Sequence, residues 1–358
     1  MASLAAVREN NAGISRLYGS GLVAVFGKFL HIHVRPLTAL LNIPVGGTSG
    51  IGESTARAFI RNTDASRAYL VGRDEARAKG IIEELRQLKP DSQVTFINAC
   101  SAIQEKEKRV NILFLSPGTG SMNGRDETDE GLDKKLNLHY YSRMRFVSNL
   151  LPQLSKAANA NQSTSDQDTN KPHLSRVISV LEAGGEAPLQ LNDLSLKTHW
   201  TLRNCAKHAI TMNSVAMEHL ASMHPQTSFI HTFPGVVRTR LARDLGTTAK
   251  FAISALMVLA KPWETPFEES GERHLFAATS TRFPARVDRD RYRGVAEGSD
   301  GGVGSGFYRL ASDGSTYKPS RILERYRAEG VRGMIWDHTL NVFARVRGGQ
   351  GGESMERH

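Results

Sequence analysis

A chain of 358 residues with 40% hydrophobic content is long enough for one large α/β domain with appendages or for two domains, and one is favoured. Its two cysteines, Cys100 and Cys205, exclude a disulfide framework and stand at no metal-ligand spacing, so a reducing compartment and no metal are expected. The formal charge of +10 is scattered and not gathered into a stripe with aromatic platforms, which argues against nucleic acid, and the apolar run Gly21 to Val45 is too broken by Lys28, His31, His33, Arg35, Pro36 and Pro44 for a membrane span or signal peptide.

In chain order, residues 1–20 read as a mixed surface lead-in. Leu22 to Phe26 is a short continuous apolar run, the signature of a buried parallel strand. A second candidate, Leu40 to Val45, lies next to the glycine-rich turn but carries Pro44, which has no amide for a central ladder, so the two compete. The turn is Val45-Gly46-Gly47-Thr48-Ser49-Gly50-Ile51-Gly52, followed at once by a helix from Glu53 to about Asn62. Its glycines leave room for a pyrophosphate against the backbone, while the helix aims its unbonded amides and positive dipole end at the phosphates. The next strand-like run, Arg67 to Val71, follows at the spacing of the βαβ unit that a dinucleotide site requires.

A strand Ala68–Val71, a helix Asp74–Leu88 and a strand Gln93–Ile97 then alternate as in a parallel, doubly wound α/β sheet. From Cys100 to Arg109 only a short charged segment precedes the strand Val110–Leu115, and parallel crossovers usually need about a dozen residues or more, so this connection is cramped. After Ser116-Pro117-Gly118 come a polar loop and a long helix, about Asp129 to Ser155, carrying Asn137, Tyr140, Tyr141, Phe146 and Leu150. An exposed insertion (157–171), a strand Arg176–Leu181, a helix Thr201–Met223 and a strand Ser228–Thr232 lead to Phe233-Pro234-Gly235-Val236-Val237-Arg238-Thr239. Two helices, Phe251–Leu259 and Glu268–Ala278, a loop (288–305) and a strand Phe307–Leu310 follow. The C-terminal part (317–346) reads as two helices, about Arg321 to Ala328 and Met334 to Arg345, before a glycine-rich, disordered tail (347–358).

The Gly46-x-x-x-Gly50-Ile51-Gly52 turn, Asn137, Lys207 and the Pro234-Gly235-x-Val237-x-Thr239 turn, in this order, resemble the short-chain dehydrogenase/reductase family, and more narrowly its fungal biosynthetic-cluster members, over about Leu22 to Ala278. The resemblance implies one three-layered Rossmann-type domain (21–316) that binds NAD or NADP and moves a hydride to or from a carbonyl or alcohol. Thr48, Ser49 and Ser116-Pro117-Gly118 would lie along the cofactor, and Lys207 would reach the nicotinamide ribose. Arg73, just after the second strand, favours a 2′-phosphate, so NADP(H) is expected. The apolar helix Phe251–Leu259 points to a hydrophobic substrate such as a polyketide or terpenoid, and the family's habit of pairing long helices implies a homodimer or homotetramer.

The family's chemistry uses a tyrosine that exchanges a proton with the substrate oxygen, a lysine that lowers its pKa, a serine that holds the oxygen and an asparagine that anchors a relay water. Lys207 and Asn137 stand at the matching places. One turn before Lys207, however, stands Arg203, and Glu182 or Leu181 falls where the serine should. Arginine does not give up its proton. Two readings follow: Arg203 and Lys207 polarise a carbonyl while water or Glu182 handles the proton, or Glu182 and Arg203 pair across a dead site in a non-catalytic binding protein. Trp200, a further turn back, could stack on a ring, whereas Tyr140 and Tyr141 read as aromatic packing.

Removing Lys28 to Val45 would leave an uninterrupted strand and turn, as the family has. Codons for Gly27-Lys28-Phe29 and Pro44-Val45 can be written with an intron donor (GGTAAGTTT) and acceptor (CCAGTT). The segment is therefore read as translated intron, with a complementary loss of exon near Cys100.

Overall fold

The parallel sheet grows outward from β1 (Val23–Gly27), which pairs with β2 (Arg67–Val71) on one side and β4 (Ile112–Leu115) on the other. This computed structural model describes residues 2–27, 47–72, 74–97, 101–159, 172–238 and 261–352. β3 (Gln93–Ile97), β5 (Arg176–Val180), β6 (Ser228–Thr232) and β7 (Phe307–Leu310) complete a seven-stranded sheet of order β3-β2-β1-β4-β5-β6-β7, parallel throughout. β1 thus settles the competition for the central strand, and the rival run Leu40–Val45 lies outside the described residues.

Alternate residues of these runs enter two cores, which is why the strands are apolar on both faces. Ala24, Phe26, Ile112, Phe114 and Ile178 pack under α3 (Gly50–Asn62), α4 (Glu75–Leu88) and α9 (Phe267–Thr279). Val25, Leu113 and Val177 pack on the opposite face under α7 (Ser142–Ala158) and α8 (Leu202–Met223), to which α10 (Arg321–Ala328) and α11 (Val331–Gly352) add a further layer.

The N-terminal lead-in is helical and docked. Val7, Asn11 and Ile14 recur on one face of α1 (Leu4–Ala12) and α2 (Ile14–Tyr18), and all three are buried. Asn11 Nδ2 donates to Glu272 Oε2 at 2.6 Å, and the Tyr18 hydroxyl donates to the Thr279 carbonyl at 2.7 Å, tying both helices to α9. The cramped crossover is made with the short α5 (Ser101–Lys106), pinned where Gln104 Nε2 donates to the Asn149 carbonyl at 2.7 Å.

The long helix expected from Asp129 begins at α6 (Lys134–Leu136), widens into a π-helical turn at Asn137–Tyr141 and continues as α7. At the other end, α11 runs to Gly352, beyond the glycines at which the sequence suggested a stop. A 3-10 turn, Arg286–Arg291, leads into the segment 288–305, which also holds an antiparallel bridge between Glu297 and Val303. Residues 160–171 and the run Phe251–Leu259 lie outside the described residues. Among the described residues no helix is long and apolar enough to cross a membrane, and no cluster of side chains fits a metal ion.

Candidate functional site

Gly47 sits against the carboxyl ends of β1 and β2. A Cβ there would lie 2.4 Å from the Phe26 carbonyl oxygen and 2.9 Å from that of Val71, so only glycine fits. Gly50 takes φ 61 and opens α3, whose first turn the extended Ser49 does not cap. The first amides of α3 therefore face the sheet edge with the dipole behind them. Beside them the Thr48 hydroxyl is buried and has no hydrogen-bond partner among the described residues. A diphosphate fits this combination of close backbone, helix amides and a waiting hydroxyl. From α4, Arg77 Nε donates to the Thr48 carbonyl while its Nη2 pairs with Glu53 of α3 at 3.0 Å, bracing the turn from outside.

From this turn a cavity of about 360 Å³ runs along the carboxyl edge of the sheet, a volume suited to a small organic ligand. Ser49, Gly50 and Ile51 form one end. The loops after β4 (Ser116, Pro117, Gly118, Thr119), β5 (Val180, Leu181, Glu182) and β6 (Pro234, Gly235, Val237) form the floor and far side. Ala206, Ala209 and Ile210 of α8 and His139 of the π turn close the wall. Among the described lining residues only His139 and Glu182 carry ionisable side chains. The Thr119 amide donates to His139 Nε2 at 3.2 Å, which puts the neutral ring's proton on Nδ1.

Beneath the floor lies Arg143, projected from α7 and only 1% exposed. Its Nη1 donates to the Ser179 hydroxyl at 2.6 Å, to the Val180 carbonyl at 2.9 Å and to the Leu115 carbonyl at 3.4 Å. Its Nη2 donates to the Pro117 carbonyl. Among the described residues it has no carboxylate partner, and burial pushes its pKa down to about 9.

The hydrogen bonding continues through α8. Ser179 Oγ donates to Asn213 Oδ1 at 3.1 Å, and Asn213 Nδ2 donates to the carbonyls of His139 and Ala209, both at 2.7 Å. A carbonyl of the π turn is thereby satisfied by a side chain inserted from the facing helix. Next in sequence, Ser214 meets Glu186 Oε1 at 2.7 Å and His231 Nδ1 at 2.8 Å, and Glu186 pairs with Arg309 of β7 at 2.8 Å. Burial pushes His231 down to about 4. Burial also works against the Glu186 carboxylate, but Arg309, His231 and Ser214 outweigh it and hold its pKa below the usual value.

Ten of the residues expected from the sequence meet at this cavity: Ser49, Gly50, Ile51, Ser116, Pro117, Gly118, Glu182, Pro234, Gly235 and Val237. Thr48 and Gly52 are buried beside them, and Asn137 is buried in the π turn. On α8 the outcome differs. The lining comes from Ala206, Ala209 and Ile210, while Arg203 is exposed and Lys207 half-buried nearby. Glu182 and Arg203 form no ion pair among the described residues. Gly46, Arg73 and Thr239 lie outside the described residues.

Trp200 is not among the described residues that line the cavity, and the Lys135 ammonium lies over its ring at 5.3 Å. Tyr140 and Tyr141 are packing residues, their hydroxyls held by Thr339 at 2.6 Å and His338 at 2.8 Å. Burial raises both phenol pKa values. His139 and Arg143 were not singled out from the sequence. The available signal was two charged or titratable side chains within six residues of Asn137 on an otherwise apolar helix face.

No family model matches the chain. It is 38% identical to Oxidoreductase AN1596 of Emericella nidulans over 363 aligned residues, covering 96% of this chain and 98% of that protein. It is 34% identical to Oxidoreductase andH of Emericella variicolor, covering 85% and 91%. To the short-chain dehydrogenase/reductase SAT2 of Stachybotrys chartarum it is 27% identical, covering 83% and 90%. Among solved structures, the NADPH-bound carbonyl reductase from chicken fatty liver superposes with a TM-score of 0.51 at 14% identity, covering 85% of this chain and 97% of that one. The L-sorbose reductase of Gluconobacter frateurii, complexed with NADPH and L-sorbose, gives 0.50 at 16% identity, covering 85% and 98%.

Proposed function

Because the chain belongs to the short-chain dehydrogenase/reductase family, we propose that this oxidoreductase transfers a hydride between NADP(H) and a carbonyl or alcohol of a hydrophobic small molecule in fungal secondary metabolism. The observation that carries the reading is the continuous cavity that begins at the glycine turn before α3 and ends between the loops after β4, β5 and β6. The cofactor supplies the hydride. Gly47, Thr48 and the amides of Gly50, Ile51 and Gly52 would hold its diphosphate, with Gly46 completing the turn. Ser116, Pro117 and Gly118 on one side and Pro234, Gly235, Val237 and Thr239 on the other would enclose its nicotinamide half. Arg73, after β2, supplies the preference for the 2′-phosphate.

At the reacting end the wall is apolar, with Val180, Leu181, Ala206, Ala209 and Ile210, which supports a hydrophobic substrate. Proton handling falls to this chain's own polar groups. Glu182 and His139 both line the cavity, and His139 Nε2 accepts from the Thr119 amide. Lys207 and Arg203 flank the lining residue Ala206 on α8 and place positive charge near a developing alkoxide. Asn137 opens the π turn that carries His139.

Titration with NADPH and NADH, followed by turnover on a panel of apolar ketones and alcohols, tests the reading. NADPH should bind more tightly and be consumed with at least one substrate class. Binding without turnover across the panel would favour a catalytically impaired dinucleotide-binding protein, and binding of neither cofactor would overturn the reading.

A further inference from the structure

Arg143 is a buried cation with no carboxylate partner among the described residues, and its guanidinium joins the loop after β4, one side of the proposed nicotinamide enclosure, to the end of β5, which lines the same cavity. We propose that Arg143 is a positioning residue that fixes the spacing of these segments and that its charge makes the site hold NADPH more tightly than NADP+, biasing it towards reduction. The inference rests on the cofactor reading above.

The positioning part follows from the donors. One planar fork reaches the Val180 carbonyl at the end of β5 and the Pro117 carbonyl after β4, so beyond the last ladder pair, Leu115 with Ser179, a rigid group ties the two segments together. Pro117 and Val180 both line the cavity, which places the guanidinium one residue layer below it.

The electrostatic part follows from the surroundings. The nicotinamide ring is neutral when reduced and carries a positive charge when oxidised, so a fixed cation beneath it disfavours the oxidised form alone. The other charges nearby do not cancel this field. Glu186 and Arg309 neutralise one another. His231 is kept neutral by burial, with Arg143 itself among the groups that oppose its protonation. Glu182 carries the opposite sign, but it is exposed and screened by water, whereas Arg143 is not. Lys207, half-buried on α8, has the same sign as Arg143. At an effective dielectric of about 20, a unit charge about 10 Å away amounts to a preference on the order of tenfold.

The test is the ratio of the NADP+ and NADPH dissociation constants, measured calorimetrically on the full chain and on Arg143→Lys and Arg143→Gln. The unaltered protein should favour NADPH on the order of tenfold. Arg143→Lys keeps the charge but loses the fork, so both forms should weaken while the ratio stays. Arg143→Gln should bring the ratio towards unity. Equal affinity of the unaltered protein for both forms overturns the proposal without any variant, which covers the case in which Arg143→Gln does not fold. A full preference retained by a folded Arg143→Gln overturns it too. Binding of neither form defeats the cofactor reading and this inference together, and is distinguishable from equal binding.

Discussion

The two ends of the cavity are held by opposite means. At the phosphate turn the holding is done by missing side chains: Gly47 presses its backbone onto Phe26 and Val71, and Gly271 of α9 lets Ser54 of α3 approach so closely that a Cβ would lie 2.3 Å from its hydroxyl oxygen. At the far end it is done by long side chains driven in from neighbouring helices, Arg143 from α7 and Asn213 from α8, each bonded to backbone carbonyls. The first kind of site tolerates no added atom; the second tolerates no removed one.

Substitutions can separate the two kinds. The largest effect is expected where the far-end network is most deeply buried. Glu186→Ala leaves Arg309, whose side chain is 2% exposed, without its partner, and should cost about 3–5 kcal/mol in urea unfolding. Gly47→Ala places a Cβ against two backbone carbonyls. It should cost about 1–3 kcal/mol and weaken NADPH binding by about a hundredfold, while leaving the Arg143 hydrogen bonds intact. A Gly47→Ala protein of unchanged NADPH affinity would break the comparison.

Acid should probe the far end together with His274 and His338, which burial also pushes down to about 4. His231 has its folded pKa depressed by burial to about 4, against an ordinary value of 6.5. Above pH 6.5 neither state binds the proton. Between 6.5 and about 4 only the unfolded chain does, so stability falls as pH falls and levels off below that window. Urea midpoints at pH 7.5 and pH 5 measure this, and His231→Asn should remove one histidine's share of the difference, leaving that of His274 and His338.

The smallest effect concerns the junction between β1 and the turn. Residues 28–46 lie between Gly27 and Gly47, yet Gly47 touches Phe26. Deleting 28–45 should therefore leave the sheet intact, raise stability by on the order of 1–2 kcal/mol through the shorter loop and tighten NADPH binding. Sequencing the transcript checks the intron reading directly: a main message that retains codons 28–45 refutes it.

This contrast also explains what could be read in advance. The strands Gln93–Ile97, Ser228–Thr232 and Phe307–Leu310 carry their own apolar runs, and the structure places them at those residues. The phosphate turn was legible because close backbone approach demands glycine at fixed local spacing. The Arg143 network was not, because its acceptors are carbonyls of Leu115, Pro117 and Val180, and any residue supplies a carbonyl. The face that α8 turns to the cavity was likewise hidden. Counting in fours from Lys207 marks Arg203, but the orientation of the helix presents Ala206 and Ile210. The docked N-terminus depended on a partner, α9, more than two hundred residues away in sequence.

α11 carries a consequence for assembly. It lies over the outer side of α8 and the π turn, where Thr339 and His338 engage Tyr140 and Tyr141, the Phe343 ring stacks under Arg145, and Ile335 and Val342 join the core. The side of α8 and of the π turn that α11 covers is thus closed to a second copy while α11 stays docked. Self-association by that route would require this clasp to peel away first, and a chain cut before Val331 would bare a sticky apolar strip along its longest inner helix.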